Sequence, residues 1–216
     1  MVDVKQFVED HKIIVIVRGL YGESLIKLAS ALYDGGIRLM EVTFDQADLH
    51  ALEKTPEAIR QLNQAMGDKM LFGTGTVLNV AQVDASVEAG ARYIISPNIN
   101  DAVVLRTKEK GLISIPGAMT PSEILRADEL GADFVKIFPY IDLGSQYIKN
   151  IRGPINHVKF LATAGVTENN FAEVLSAGFC GAGISGRLTD KSAIASGDYA
   201  ELTHRAEAFV RIAKGE

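Results

Sequence analysis

Cysteine is nearly absent. Cys180 is the single one in 216 residues, which excludes an intrachain disulfide and any metal site built on several cysteines. An excess of positive charge is absent as well. Lys and Arg total 22 against 27 Asp and Glu, a net charge of −5 and a pI near 5.4. That balance argues against broad binding to nucleic acid or to an anionic membrane. It leaves room for a small anionic substrate held by a few local groups. Long apolar runs are missing too: the purest, Ile13 to Val17, falls far short of the roughly 20 residues of a membrane span. The opening MVDVKQFVED is acidic and lacks an apolar core, so it does not read as a signal peptide. The histidines His11, His50, His157 and His204 are scattered without metal spacing, so no metal is expected. No Ser/Pro-rich linker or low-complexity segment divides the chain. Hydrophobic residues make up 47% and charged residues 23%, near globular averages. The expectation is a soluble cytoplasmic protein with residues 1–216 in a single domain.

What the chain does have is alternation. Apolar runs of strand length are expected at Ile13–Val17, Ile37–Val42, Met70–Gly73, Tyr93–Ser96, Leu112–Ile115, Phe134–Ile137, Val158–Thr163 and Cys180–Ile184. Amphipathic helical segments alternate with them: Ser24–Tyr33, Pro56–Met66, Val80–Ala89, Asp101–Glu109, Pro121–Leu130, Ser145–Ile151, Glu168–Ala177 and Tyr199–Ala213. A further short helix is expected over Val2–His11, and a polar connection over Ser192–Asp198. Glycines recur at helix exits, where a left-handed residue ends the helix. Repeated strand–helix units imply a parallel sheet with right-handed crossovers. Eight of them fit a closed (β/α)8 TIM barrel, and 216 residues leave about 27 per unit. An open doubly wound sheet has the same local pattern.

In a barrel, chemistry sits where strands end and helices begin. Two charged residues there are hard to explain structurally. Lys136, in Val135-Lys-Ile-Phe-Pro139, is flanked by apolar residues. Burying its charge unpaired costs several kcal/mol, and desolvation favours the neutral, nucleophilic amine. A lysine that snorkels to the rim or pairs with an acid is the other reading. Lys159 lies early in its strand and reads as structural. Glu41 ends the second strand and is either a partner for Arg18 or a general base with a raised pKa. An amine and a carboxylate in one barrel mouth suggest Schiff-base chemistry on a carbonyl substrate.

Weaker motifs carry less. Gly181-Ala-Gly-Ile-Ser-Gly186 has the spacing of a dinucleotide fingerprint, but only 30 residues follow it and no strand is among them. At the exit of the last strand, Ser185 and Gly186 are phosphate candidates or plain tight packing. Gly73-Thr-Gly-Thr76 lacks the Lys-Ser/Thr of a phosphate-binding P-loop. Cys180 begins an apolar strand and reads as core rather than nucleophile.

Taken in order, several segments resemble the bacterial 2-keto-3-deoxy-6-phosphogluconate and 4-hydroxy-2-oxoglutarate aldolases, class I enzymes of the pyruvate type. They are Ile16-Val-Arg-Gly19, Gly35-Gly-Ile-Arg-Leu-Met-Glu-Val-Thr43, Gly73-Thr-Gly-Thr-Val-Leu-Asn79, Ile95-Ser-Pro97, Ile115-Pro-Gly117, Val135-Lys-Ile-Phe-Pro139 and Lys159-Phe-Leu-Ala-Thr-Ala-Gly-Val166. The resemblance implies that Lys136 forms the Schiff base and Glu41 moves protons. It places Thr76, Pro97 and Phe138 around the pyruvate moiety, and Thr163 and Gly165 near the substrate and its phosphate. It implies a phosphorylated keto-acid substrate, no cofactor, no metal and a homotrimer. Two positions depart from the family. Thr163-Ala164-Gly165 stands where many members have Thr-Gly-Gly, and Asp45 lies where some carry an arginine. Arg18 is then the expected binder of carboxylate or phosphate. The departures also motivate a rival reading, a non-catalytic phosphosugar-binding barrel, although retention of Lys136 and Glu41 argues against it. An isomerase or decarboxylase on a phosphate-binding barrel is the third reading.

Overall fold

The computed structural model describes residues 2–216. Its strands are β1 (Ile13–Val17), β2 (Leu39–Thr43), β3 (Leu71–Gly75), β4 (Tyr93–Ile95), β5 (Ile113–Ile115), β6 (Gly117–Ala118), β7 (Val135–Ile137), β8 (Phe160–Thr163) and β9 (Gly181–Ile184). All pair in parallel, in the order β5-β4-β3-β2-β1-β9-β8-β7-β6. The two ends of that order are halves of one strand interrupted at Pro116. Its first half pairs with β4 and its second with β7. Pro116 has no N–H to donate, but its carbonyl still accepts from Lys136 N at 2.9 Å. Ser114 O likewise accepts from Asp133 N at 3.0 Å. The ring therefore closes, as an α/β TIM barrel with eight strand positions.

The helices are α1 (Val4–His11), α2 (Gly22–Asp34), α3 (Ala51–Met66), α4 (Val80–Glu88), α5 (Asp101–Glu109), α6 (Pro121–Glu129), α7 (Tyr140–Arg152), α8 (Phe171–Ser176), α9 (Lys191–Ser196) and α10 (Tyr199–Lys214). None of them is long and apolar enough to cross a membrane. Side chains alternate across each strand. Ile14, Leu39, Leu71, Tyr93, Ile95, Ile115, Phe134 and Leu161 fill the barrel interior. Val15, Val17, Met40, Val42, Phe72, Ile137 and Ala162 face the helices. Strands buried on both sides are why the sequence shows uninterrupted apolar runs. Helix α1 closes the bottom: its Val8 joins the interior cluster, and its Glu9 pairs with Lys159. Lys159 is thus an ion-pair partner at the end of the barrel away from the strand exits.

Several elements differ from expectation. Lys191–Ser196 is a helix rather than part of a polar connection. Asp190 caps it by accepting from Ser192 N and Ala193 N, and one and a half turns are too short to show a periodic apolar stripe. Helix α3 begins at Ala51, before Pro56, because Asp48 ties down the extra turn by accepting from His50 N and Ala51 N. Helix α7 begins at Tyr140 and is kinked at Gly144, whose φ of 71° no helix tolerates, so the expected start at Ser145 is its second half.

Candidate active site

The strand ends converge on one mouth, and period-two alternation decides which side chains enter it. Phe134 is an interior residue, so Lys136, two positions on, also points inward, while Val135 and Ile137 pack against the helices. The same alternation takes Leu39 to Glu41 and Leu161 to Thr163. Lys136, Glu41 and Thr163 line one small cavity of about 10 Å³ with Ile16, Ile95 and Gly183. That is about the space of one water molecule.

Lys136 is 5% exposed and Glu41 1%. Burial holds the Lys136 ammonium below its ordinary range, against the opposing pull of Glu41 and with further help from Arg18. Burial pushes the Glu41 carboxyl up to about 7, although the Lys136 and Arg18 charges draw it down. Glu41 Oε2 has no hydrogen-bond partner. The Lys136 ammonium lies 4.8 Å from the centre of the Phe138 ring, within cation–π range. An amine of lowered basicity beside a carboxyl that titrates near neutrality can form an imine with a carbonyl compound and move protons about it.

Arg18 follows β1 and is exposed at the mouth. Its Nη1 donates to Thr76 Oγ1 at 3.4 Å. It lines a larger cavity of about 640 Å³ with Gly19, Ser185, Gly186, Thr189 and Lys191. Ser185 Oγ donates to Ile16 O at 3.2 Å. Pro97 and Gly165 line neither cavity. Pro97 packs its carbonyl against Gly117, and Gly165 lies under Ile141, at strand ends elsewhere on the rim. Ala164 and Gly165 take consecutive left-handed conformations, φ 73° and 88°. The loop is held by Ile141 N donating to Ala164 O and Asn170 Nδ2 donating to Gly165 O.

Asp45 is occupied locally: its Oδ1 accepts from Ala47 N at 3.0 Å and turns its own loop. The next residue does more than sequence reasoning assigned to it. Gln46 Nε2 donates to Thr76 O at 2.7 Å, Gln82 Nε2 donates to Gln46 Oε1, and Gln82 Oε1 accepts from Leu78 N. This chain of amides fixes the loop after β3, where Thr76 has φ 56°, a rare conformation for a β-branched residue. Gln82 lies on the buried face of α4 beside Val83 and Ser86, which its sequence neighbours do not reveal.

Among the described residues, no three His, Cys, Asp or Glu side chains group as a metal site requires. His50 and His204 are exposed beside Glu53 and Glu207. Cys180 is partly buried against the interior cluster, and burial pushes its thiol up in pKa, away from nucleophilic use.

The model of the KDPG and KHG aldolase family matches residues 4–205. The chain is 34% identical over 177 residues to 2-dehydro-3-deoxy-6-phosphogalactonate aldolase of Escherichia coli (strain K12), covering 82% of this chain and 83% of that one. It is 33% identical over 213 residues to 2-dehydro-3-deoxy-phosphogluconate aldolase of Treponema pallidum (strain Nichols), covering 98% of each. The crystal structure of KDPG aldolase from Legionella pneumophila, with pyruvate captured at low pH as a covalent carbinolamine intermediate, superposes with a TM-score of 0.85. That match has 26% identity and covers 96% of this chain and 98% of that one. Closed barrel and matched length agree, and the chain belongs to the KDPG and KHG aldolase family of carbon–carbon lyases.

Proposed function

We propose that this protein is a class I aldolase cleaving 2-keto-3-deoxy-6-phosphogluconate, or a close analogue, to pyruvate and glyceraldehyde 3-phosphate. The observation that carries this reading is the buried pair: Lys136, held below its ordinary pKa, and Glu41, raised to about 7, on one cavity at the strand exits. The neutral Lys136 amine adds to the C2 carbonyl to give a carbinolamine, the species named for the Legionella relative. A proton from the Glu41 carboxyl lets the carbinolamine hydroxyl leave as water, which gives the protonated imine and leaves Glu41 ionised. Ionised Glu41 takes the C4 hydroxyl proton; the C3–C4 bond breaks, and its electron pair passes to the imine nitrogen as the enamine. Glyceraldehyde 3-phosphate leaves. C3 of the enamine is protonated, water adds to C2, and pyruvate departs as the lysine amine is restored. The iminium is the electron sink, so these residues require no metal or organic cofactor.

Arg18 is the carboxylate or phosphate partner, with Thr76, Pro97 and Phe138 around the pyruvate moiety. Thr163, Gly165, Ser185 and Gly186 serve the rest of the substrate and its phosphate. The galactonate epimer is the second reading, because a relative named for it is as similar to this chain as one named for the gluconate acid. We further propose one barrel domain over residues 1–216, a cytoplasmic location and a homotrimer. Supporting an assembly of some kind, Leu105 and Leu125 are 53% and 40% exposed on α5 and α6, which the Asp101–Arg126 ion pair joins. Sedimentation at a trimer's mass is expected, and a monomer at micromolar concentration would reject that assembly. A coupled pyruvate-release assay across the two phosphorylated epimers and 4-hydroxy-2-oxoglutarate tests the activity. Release from at least one is expected, and tight binding with release from none would favour the non-catalytic barrel.

A further inference from the structure

Strand β3 gives the barrel interior no side chain at two successive inward positions. Leu71, Gly73 and Gly75 share one face by the two-residue period of a strand, and only Leu71 contributes to the interior cluster. Neighbouring strands fill the two gaps. A Cβ placed on Gly73 would lie 2.2 Å from Cδ2 of the Tyr93 ring. That ring takes the lower place, with its hydroxyl donating to Met40 O at 2.7 Å. A Cβ placed on Gly75 would lie 2.6 Å from Glu41 Cδ and Oε1 and 2.8 Å from Oε2. The Glu41 carboxyl therefore rests in the upper place, directly on the Gly75 backbone. In register, Glu41 pairs with Gly73 and Thr43 with Gly75, so the Glu41 side chain reaches diagonally toward the mouth. Cδ and both carboxyl oxygens of Glu41 occupy the space that a Gly75 side chain would need, so the shape of the seat limits where the carboxyl can lie.

We propose that Gly75 is a positioning residue for Glu41: its missing side chain is the seat that aims the carboxyl at the reacting carbons. This rests on the reading of Glu41 as the proton-transfer group. Seating Glu41 on bare backbone limits the movement of this buried carboxyl without bringing a counter-charge to it. A methyl at Gly75 would force the carboxyl away by about 1 Å, and a displacement of that size can cost about 100-fold in rate.

The test is Gly75→Ala, alone and combined with Glu41→Gln and Glu41→Asp. Gly75→Ala is expected to lower kcat about 100-fold. Borohydride trapping of pyruvate on Lys136 should keep its half-saturating pyruvate concentration within about threefold, since imine capture does not need the aimed carboxyl. In the Glu41→Gln background Gly75→Ala should cost little more, because the group it displaces no longer transfers the proton. Wild-type turnover by Gly75→Ala, an equal loss of trapping and turnover, or an equal loss in the Glu41→Gln background would each overturn the proposal. If Gly75→Ala does not fold, pairing it with Glu41→Asp should restore folding by withdrawing the carboxyl. Failure to fold in both backgrounds would mean that Gly75 serves only the backbone and would reject the proposal. Absence of any wild-type adduct on Lys136 would instead reject the Schiff-base reading itself.

Discussion

Lys136 enters the barrel because strand period two leaves it no other direction, with Phe134 fixed inside beneath it. The sequence singled out Lys136 as a charge within an apolar strand but left open a lysine that snorkels to the rim or pairs with an acid; the interior position of Phe134 decides its direction. Glu41 was legible as a strand-end carboxylate, either a partner for Arg18 or a general base, and the interior Leu39 two residues before it fixes its direction. What was not legible is the support around them. Gln82 looks like any helical amide until α4 is seen to bury it at 5% exposure. Gly73-Thr-Gly-Thr76 was read against a nucleotide loop, and spacing alone does not say that a carboxyl rests on Gly75. Asp45 looked hostile to an anionic substrate, and only its bond to Ala47 N shows that it serves its own turn. A prediction at this scale follows from the proposed role of Glu41, which must be ionised to accept the C4 hydroxyl proton. With its pKa raised to about 7, kcat/KM should fall on the acid side of about pH 7. Glu41→Gln should still trap pyruvate as an imine, turn over roughly 100- to 10,000-fold more slowly, and lose that acid limb. Full activity in that variant across the pH profile would remove Glu41 from the mechanism.

Among the elements, long amphipathic helices and β-branched runs could be placed from sequence to within a few residues. The failures came where side chains rather than periodicity define the element. Helix α9 exists because Asp190 satisfies two backbone donors at its start, in a segment whose composition is polar. Strand β6 is the continuation of β5 past Pro116, and its two residues carry no pattern of their own. Both matter for the site: β6 closes the ring beside Lys136, and α9 lines the larger cavity next to Ser185 and Gly186. Asp190→Ala should therefore cost about 1 kcal/mol of local stability. Hydrogen exchange at the Ser192 and Ala193 amides should quicken by roughly fivefold, about what 1 kcal/mol implies. Unchanged exchange at both would show that packing of Ala193, not the cap, holds the helix.

For the whole molecule, a net charge of −5 looks unsuited to binding a substrate that is itself anionic. The barrel resolves this by placing its useful cations locally. Arg18 stands at the mouth and Lys136 behind it, while Glu168 and Asp190 on the same rim are paired with Arg187 and Arg205. Closure of the barrel through the strand broken at Pro116 also takes Lys136 and Glu41 out of water, which sets the pKa of each. The most direct measurement of the central claim is borohydride reduction of the intact protein with pyruvate, followed by peptide mass mapping. A stable adduct on Lys136 alone, absent without pyruvate and absent in Lys136→Ala, is the predicted result. No adduct, or an adduct on Lys159 or a surface lysine with Lys136 untouched, would contradict it.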